Sequence, residues 1–159
     1  MRTLGQTLAV ALAAALAACG SDTETPNSPS MAITVSANPA QITGALCTGC
    51  GAGSTDREAL TTLQIQETAG AAGTVTVIDM SLREQGTNDV IGAGSFDAAA
   101  IAQIAGSNRV PARGTLNVRC GVHYPAGQAG KSAILTYTVR VTDDRGNQVT
   151  QTVAVATTT

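Results

Sequence analysis

Four cysteines and a single histidine are the residues of this chain best suited to chemistry: Cys19, Cys47, Cys50, Cys120 and His123. Cys19 closes an apolar N-terminal run, whereas the others form C-x2-C (CTGC), a long gap, then C-x2-H (CGVH). Two such knuckles can bring four sulfur and nitrogen ligands to one point, the set a tetrahedral Zn²⁺ takes in a structural site. Gly51, directly after Cys50, suits a tight metal knuckle. Cys47, Cys50, Cys120 and His123 are therefore candidate metal ligands, with structural zinc the cofactor implied. A period of two around Cys120 works against this set, because it sends Cys120 inward and leaves His123 on the opposite face unless the strand ends there.

A second chemistry open to CTGC is thiol–disulfide exchange. Thioredoxin-type redox needs the first thiol lowered in pKa at a helix N-terminus within a βαβ unit. Thr55-Asp56-Arg57-Glu58 has the form of a capping box, yet it starts five residues after the motif and leads into a predicted strand. The context is wrong for that chemistry.

Other catalytic signals fail. A Ser/His/Asp triad would have to use His123, and no G-x-S-x-G elbow surrounds a serine; GAGSF at 92–96 has the wrong register. The glycine-rich CTGCGAGST lacks the lysine of a phosphate loop and joins no parallel strand to a helix. Asp143-Asp144 reads as a solvated hairpin turn, and Ca²⁺ there would need oxygens from another loop. No catalytic residue is expected.

The N-terminus gives an address. Residues 1–19 read MRTLGQTLAVALAAALAAC, with Arg2 near the start and an apolar run from Leu8 to Ala18. That run falls short of the roughly 20 apolar residues a membrane span needs, so it reads as a signal peptide. Leu16-Ala17-Ala18-Cys19 resembles the bacterial lipobox. The resemblance implies cleavage after residue 18, a diacylglycerol on the Cys19 sulfur and a further acyl chain on its amine; several chains make anchoring stable where one is marginal. Gly20 in place of aspartate implies, by the same resemblance, sorting to the outer membrane of a diderm host. Residues 19–31, including the polar SDTETPNSPS, form a flexible tether.

The remaining 32–159 segment, about 128 residues, is long enough to bury roughly two-thirds of the surface of its unfolded chain. Phe96, Tyr124 and Tyr137 are its only aromatics, so Val, Ile, Leu and Ala must fill the interior, which suits a sheet better than a large ligand cavity. Without Arg2 the chain carries eight basic and eleven acidic residues, net −3, and Lys131 is the only lysine. Scattered basic residues and missing stacking platforms exclude nucleic acid as a partner.

Period-two runs separated by Gly, Pro, Asn and Asp predict an all-β sandwich or barrel. The clearest unit is a hairpin: Leu135, Tyr137, Val139 and Val141 share a strand face, Asp143 to Asn147 turns, and Val149, Val153 and Val155 return. Leu116 to Val122 predicts another strand, Ile33 to Ala37 a first one, and residues 61–67 with 74–82 a hairpin around Gly70 and Gly73. One short crossover helix is expected over Asp97 to Ala105, with Ser95 as N-cap and Gly106 as its stop.

LTYTVRVTDDRGNQVTQTVAV, within this order, resembles the last two strands of bacterial immunoglobulin-like or fibronectin-III-like domains, with Tyr137 where a tyrosine corner would sit. The resemblance implies an antiparallel β-sandwich of about seven strands over 32–159. It also implies that the loop after the first strand and the end of the fifth lie at one end. A disulfide from Cys47 or Cys50 to Cys120 is then the simplest use of two thiols, leaving one unpaired; closing so long a loop contributes roughly 2–4 kcal/mol. The expected function is a membrane-anchored, non-catalytic interaction module for adhesion, scaffolding or envelope assembly, acting through a sheet face or edge strand on an unknown protein partner. The alternative is a zinc-binding lipoprotein, with a redox protein third.

Overall fold

The computed structural model describes residues 30–159; the expected signal peptide, Cys19 and all but the end of the expected tether lie outside the described residues. Side-chain alternation builds its strands. In β4 (Arg57–Glu67), Ala59, Thr61, Leu63, Ile65 and Glu67 are buried while Gln64 and Gln66 face solvent. In β8 (Thr115–Tyr124), Leu116, Val118, Cys120, Val122 and Tyr124 are buried and Asn117, Arg119 and His123 exposed. Such strands hold together only when their apolar faces meet a second layer.

Two sheets supply those layers. In the first, β8 pairs along one side of β4, while β1 (Ile33–Asn38) and β3 (Ala45–Leu46) share its other side. The second sheet runs β2 (Gln41–Thr43), β10 (Gln148–Thr158), β9 (Ser132–Asp143), β5 (Gly73–Glu84), β6 (Val90–Asp97). A short β7 (Arg109–Val110) adds to the start of β5. All pairs are antiparallel except β2 with β10. The fold is all-β, with seven strands of six residues or more among the ten described.

The interior between the sheets is aliphatic. Leu63, Ile65 and Val118 from the first sheet meet Val75, Ile78, Leu135 and Val139 from the second. Full burial of each such side chain contributes about 2 kcal/mol. Tyr137, fully buried, donates its hydroxyl to the Cys120 carbonyl at 3.2 Å and so ties the sheets together.

Several expectations need correction. Residues 61–67 and 74–82 form no hairpin: β4 and β5 belong to different sheets, and the chain between them crosses the sandwich. The helix, α1 (Ala98–Ala105), ends on Gly106 as expected, but its cap is Asp97, which accepts from the Ala100 N–H at 2.8 Å. Ser95 stays in β6, its hydroxyl donating to Asp79. Tyr137 makes no tyrosine corner, because its partner lies 17 residues upstream in the opposite sheet. Met31, placed in the tether by the sequence, is buried against Gly73. Asp143 is buried rather than solvated, its carboxylate accepting from the Arg145 and Asn147 backbone and from the Asn147 side chain.

The crossover after β4 is organised by a carboxylate. Glu67 is 1% exposed, and its oxygens accept from the backbone N–H groups of Ala32 (3.3 Å), Ala69 (2.8 Å), Gly70 (2.7 Å) and Arg113 (2.8 Å). Burial alone would push its pKa up, but those donors together outweigh it and hold the group at about 2. One side chain thereby joins the entry of β1, the crossover and the approach to β8.

Candidate thiol and metal site

At the other end of β4 the chain builds a different cluster. Ala45 and Leu46 pair with Glu58 and Arg57, and the Cys47 N–H continues the ladder to the Asp56 carbonyl at 2.9 Å. Residues 48–55 then loop out and fold back through Gly51 (φ 92°) and Gly53 (φ 81°), left-handed conformations that glycine adopts without steric cost. Before those glycines, residues 48–50 bend so that Cys50 meets Cys47, and the two are joined as a disulfide with S–S 2.00 Å and Cα–Cα 5.6 Å.

His123 reaches this disulfide from β8. The register Ala45, Glu58, His123 runs straight across three strands, so the histidine lies one strand beyond Glu58 on the outer face of the sheet. A ring nitrogen of His123 and the two sulfurs all lie within 4.8 Å of one another. The Nε2 atom is 3.8 Å from Glu58 Oε2; the histidine side chain is 58% exposed and that of Glu58 13%. Gly121 lets β8 come this close to β4, since a Cβ there would fall 1.8 Å from the Ala59 carbonyl oxygen.

Of the four ligands read from the sequence, three come together and one does not. Cys120 is 2% exposed and sits on the inward face of β8, where burial pushes its thiol up to about 12. Cys120 and His123 are three residues apart on a strand and therefore face opposite sides, which removes Cys120 both from the metal set and from a disulfide. The bond expected from Cys47 or Cys50 to Cys120 is replaced by Cys47–Cys50, and Cys120 is a free buried thiol. The loop cysteines lie outside the sheet that covers Cys120.

The surroundings bear on the chemistry. Thr55 to Glu58 caps no helix but enters β4, so CTGC sits in a β-hairpin loop and gains no helix-terminal stabilisation of a thiolate. Glu58 escaped notice in the sequence because only the pairing of β4 with β8 places it beside His123. Leu46, next to Cys47, is 64% exposed and presents one apolar side chain at this end of the molecule.

No family model and no curated protein matches the chain. Among solved structures, Northeast Structural Genomics Consortium target SoR45 is similar with a TM-score of 0.52 and 8% identity, over 84% of this chain and 88% of that one. A Bordetella pertussis protein solved under the ApaA label has a TM-score of 0.49 and 12% identity, over 81% and 94% of the two chains. The first likeness supports the fold alone, and the second carries no further argument.

Proposed function

We propose that the protein is a lipid-anchored, non-catalytic module of the bacterial envelope, held through Cys19 in the outer membrane, that presents the Cys47–Cys50 and His123 end of an immunoglobulin-like sandwich to a protein partner. The observation that carries this reading is polarity. The tether enters at Ala32 beside Glu67, whereas Cys47, Cys50 and His123 lie beside Arg57 and Glu58, at the opposite end of an eleven-residue strand. At about 3.4 Å per residue the two ends are about 34 Å apart. An anchor reaching the first end through a flexible tether leaves the second, with exposed Leu46 on it, free to meet a partner away from the bilayer.

Strand order supports the immunoglobulin-like reading. Lettered A to G in chain order, the seven long strands place A, B and E in one sheet and C, F and G in the other, as in that fold. The fourth, β6, pairs with β5 rather than β8, a departure from the constant-type order. Among the described residues no helix is long and apolar enough to cross a membrane.

Two measurements on the full chain test the proposal. Cys19→Ala should move the protein from the membrane to the soluble periplasmic fraction; continued membrane retention refutes the anchor. After mild reduction, Cys47 and Cys50 of lipidated protein on liposomes should react with a membrane-impermeant maleimide as fast as in the soluble Cys19→Ala form. Strongly slowed labelling would put this end against the bilayer and overturn the orientation.

A further inference from the structure

We propose that the Cys47–Cys50 disulfide is the closed state of a zinc site made by Cys47, Cys50 and His123, with the Glu58 carboxylate or water in the fourth position, so that reduction of one bond switches metal binding on. This deepens the reading of that end of the molecule as a presented binding site, but its chemistry does not require the lipid anchor.

Geometry carries the argument. The two sulfurs and a ring nitrogen of His123 already lie within 4.8 Å of one another, from a loop and a strand that the β4 register holds side by side. Glu58 Oε2 lies 3.8 Å from His123 Nε2 and is largely covered, but it stands outside the three-atom cluster, so its side chain must turn to reach the fourth position, which water otherwise fills. Two thiolates, one imidazole and one oxygen donor make a tetrahedral set that suits Zn²⁺ better than hard cations, which take all-oxygen shells. Sulfurs bonded to each other are not thiolates and cannot both coordinate one ion as such. In the oxidised protein only the imidazole nitrogen and the carboxylate oxygens remain as ordinary zinc ligands.

The switch balances as an ordinary dithiol exchange. A dithiol reductant of the envelope attacks the Cys47–Cys50 bond, gives up two electrons and two protons, and becomes a disulfide itself; Cys47 and Cys50 become thiols. Zinc then binds them as thiolates and releases both protons to solvent. Cys120 takes no part, because it is buried on the inner face of β8.

The test uses the full chain carrying Cys19→Ala, so that its outcome is independent of lipidation. Protein reduced with a water-soluble phosphine and desalted without oxygen is titrated with ZnCl₂ against a chromophoric chelator, and separately with Co²⁺ to read thiolate charge-transfer bands and tetrahedral d–d bands. The reduced protein should bind one ion per chain, and the oxidised protein should bind at least about 100-fold more weakly. His123→Ala should weaken binding by about 10-fold or more, and Glu58→Gln by less; outer partners and single ligands commonly act on this scale. Cys120→Ala should keep both stoichiometry and spectrum. Thermal melting of each variant separates loss of ligand from loss of fold. The proposal is overturned if the reduced, folded protein binds no zinc, if oxidised and reduced forms bind alike, or if folded Cys120→Ala loses the thiolate bands.

Discussion

Replacing Glu67 with glutamine should make the protein markedly less stable at neutral pH and less so in acid. The carboxylate is 1% exposed and receives four backbone N–H groups, two on each oxygen. Its pKa falls from 4.5 to about 2 on folding, with burial opposing the shift and the four donors winning. Because the folded value is depressed, the unfolded chain binds the extra proton between those two values. The stabilisation is fully present above about pH 4.5 and is lost as pH falls through about 2. At about 1.4 kcal/mol per unit the full span is worth about 3 kcal/mol. Ala32 and Arg113 lie at the surface, so water screens part of this and about 2 kcal/mol should survive. Glutamine also turns an amide NH₂ toward two backbone donors, adding about 1 kcal/mol.

The expected loss for Glu67→Gln is therefore about 3 kcal/mol at pH 7, or about 10 °C in Tm for a domain of this size. Denaturant melts of parent and variant, run from pH 7 down to pH 2, read both numbers. Asp79, Asp143 and Asp144 also have lowered pKa values and will drive acid unfolding in both proteins, so the informative quantity is the difference. That gap should narrow to about 1 kcal/mol near pH 2, where Glu67 takes up its proton. A gap that stays constant across the range, or a variant as stable as the parent at pH 7, would refute the account of Glu67 as a charged hub.

Gly121→Ala places a methyl 1.8 Å from the Ala59 carbonyl oxygen and should cost about 3 kcal/mol or more, measured by urea unfolding. Tyr137→Phe removes the bond to the Cys120 carbonyl and should cost about 1 kcal/mol in the same assay. Asp97→Ala removes the cap of α1 and should also cost about 1 kcal/mol; an unchanged melt would mean the helix needs no cap. Cys120 should stay unreactive toward a thiol-specific disulfide reagent at pH 8 until denaturant is added, since burial pushes its pKa to about 12; fast labelling of native protein would contradict its placement.

How much of this was legible in the chain depends on whether the deciding contact is local. Period two alone places Cys120 inward and His123 outward, and the structure has them so. The same rhythm through Leu63 and Ile65 also points Glu67 into the interior, a signal present in the sequence but read only as a strand end. What period two does not contain is which strand lies beside which. The β9 and β10 hairpin could be read because a five-residue turn fixes its partner, and it is found with Val141 opposite Val149. The link from β4 to β5 is equally short, yet it crosses between sheets. Within that link Glu67 accepts from Ala69 and Gly70, so those backbone donors go to a side chain and not to a β4–β5 ladder. The site follows the same rule. CTGC bends back on itself over residues 48–50, so its own disulfide needs no distant partner, whereas bonding to Cys120 would require a loop outside the sheet to reach through it. His123 and Glu58 are 65 residues apart in sequence and meet only through one register of β4 with β8. A shift of that register by one residue would turn His123 and Glu58 to opposite faces and dissolve the cluster. The site is thus a property of strand pairing, which makes Gly121, the residue that permits that pairing, as much a determinant of it as the sulfur ligands.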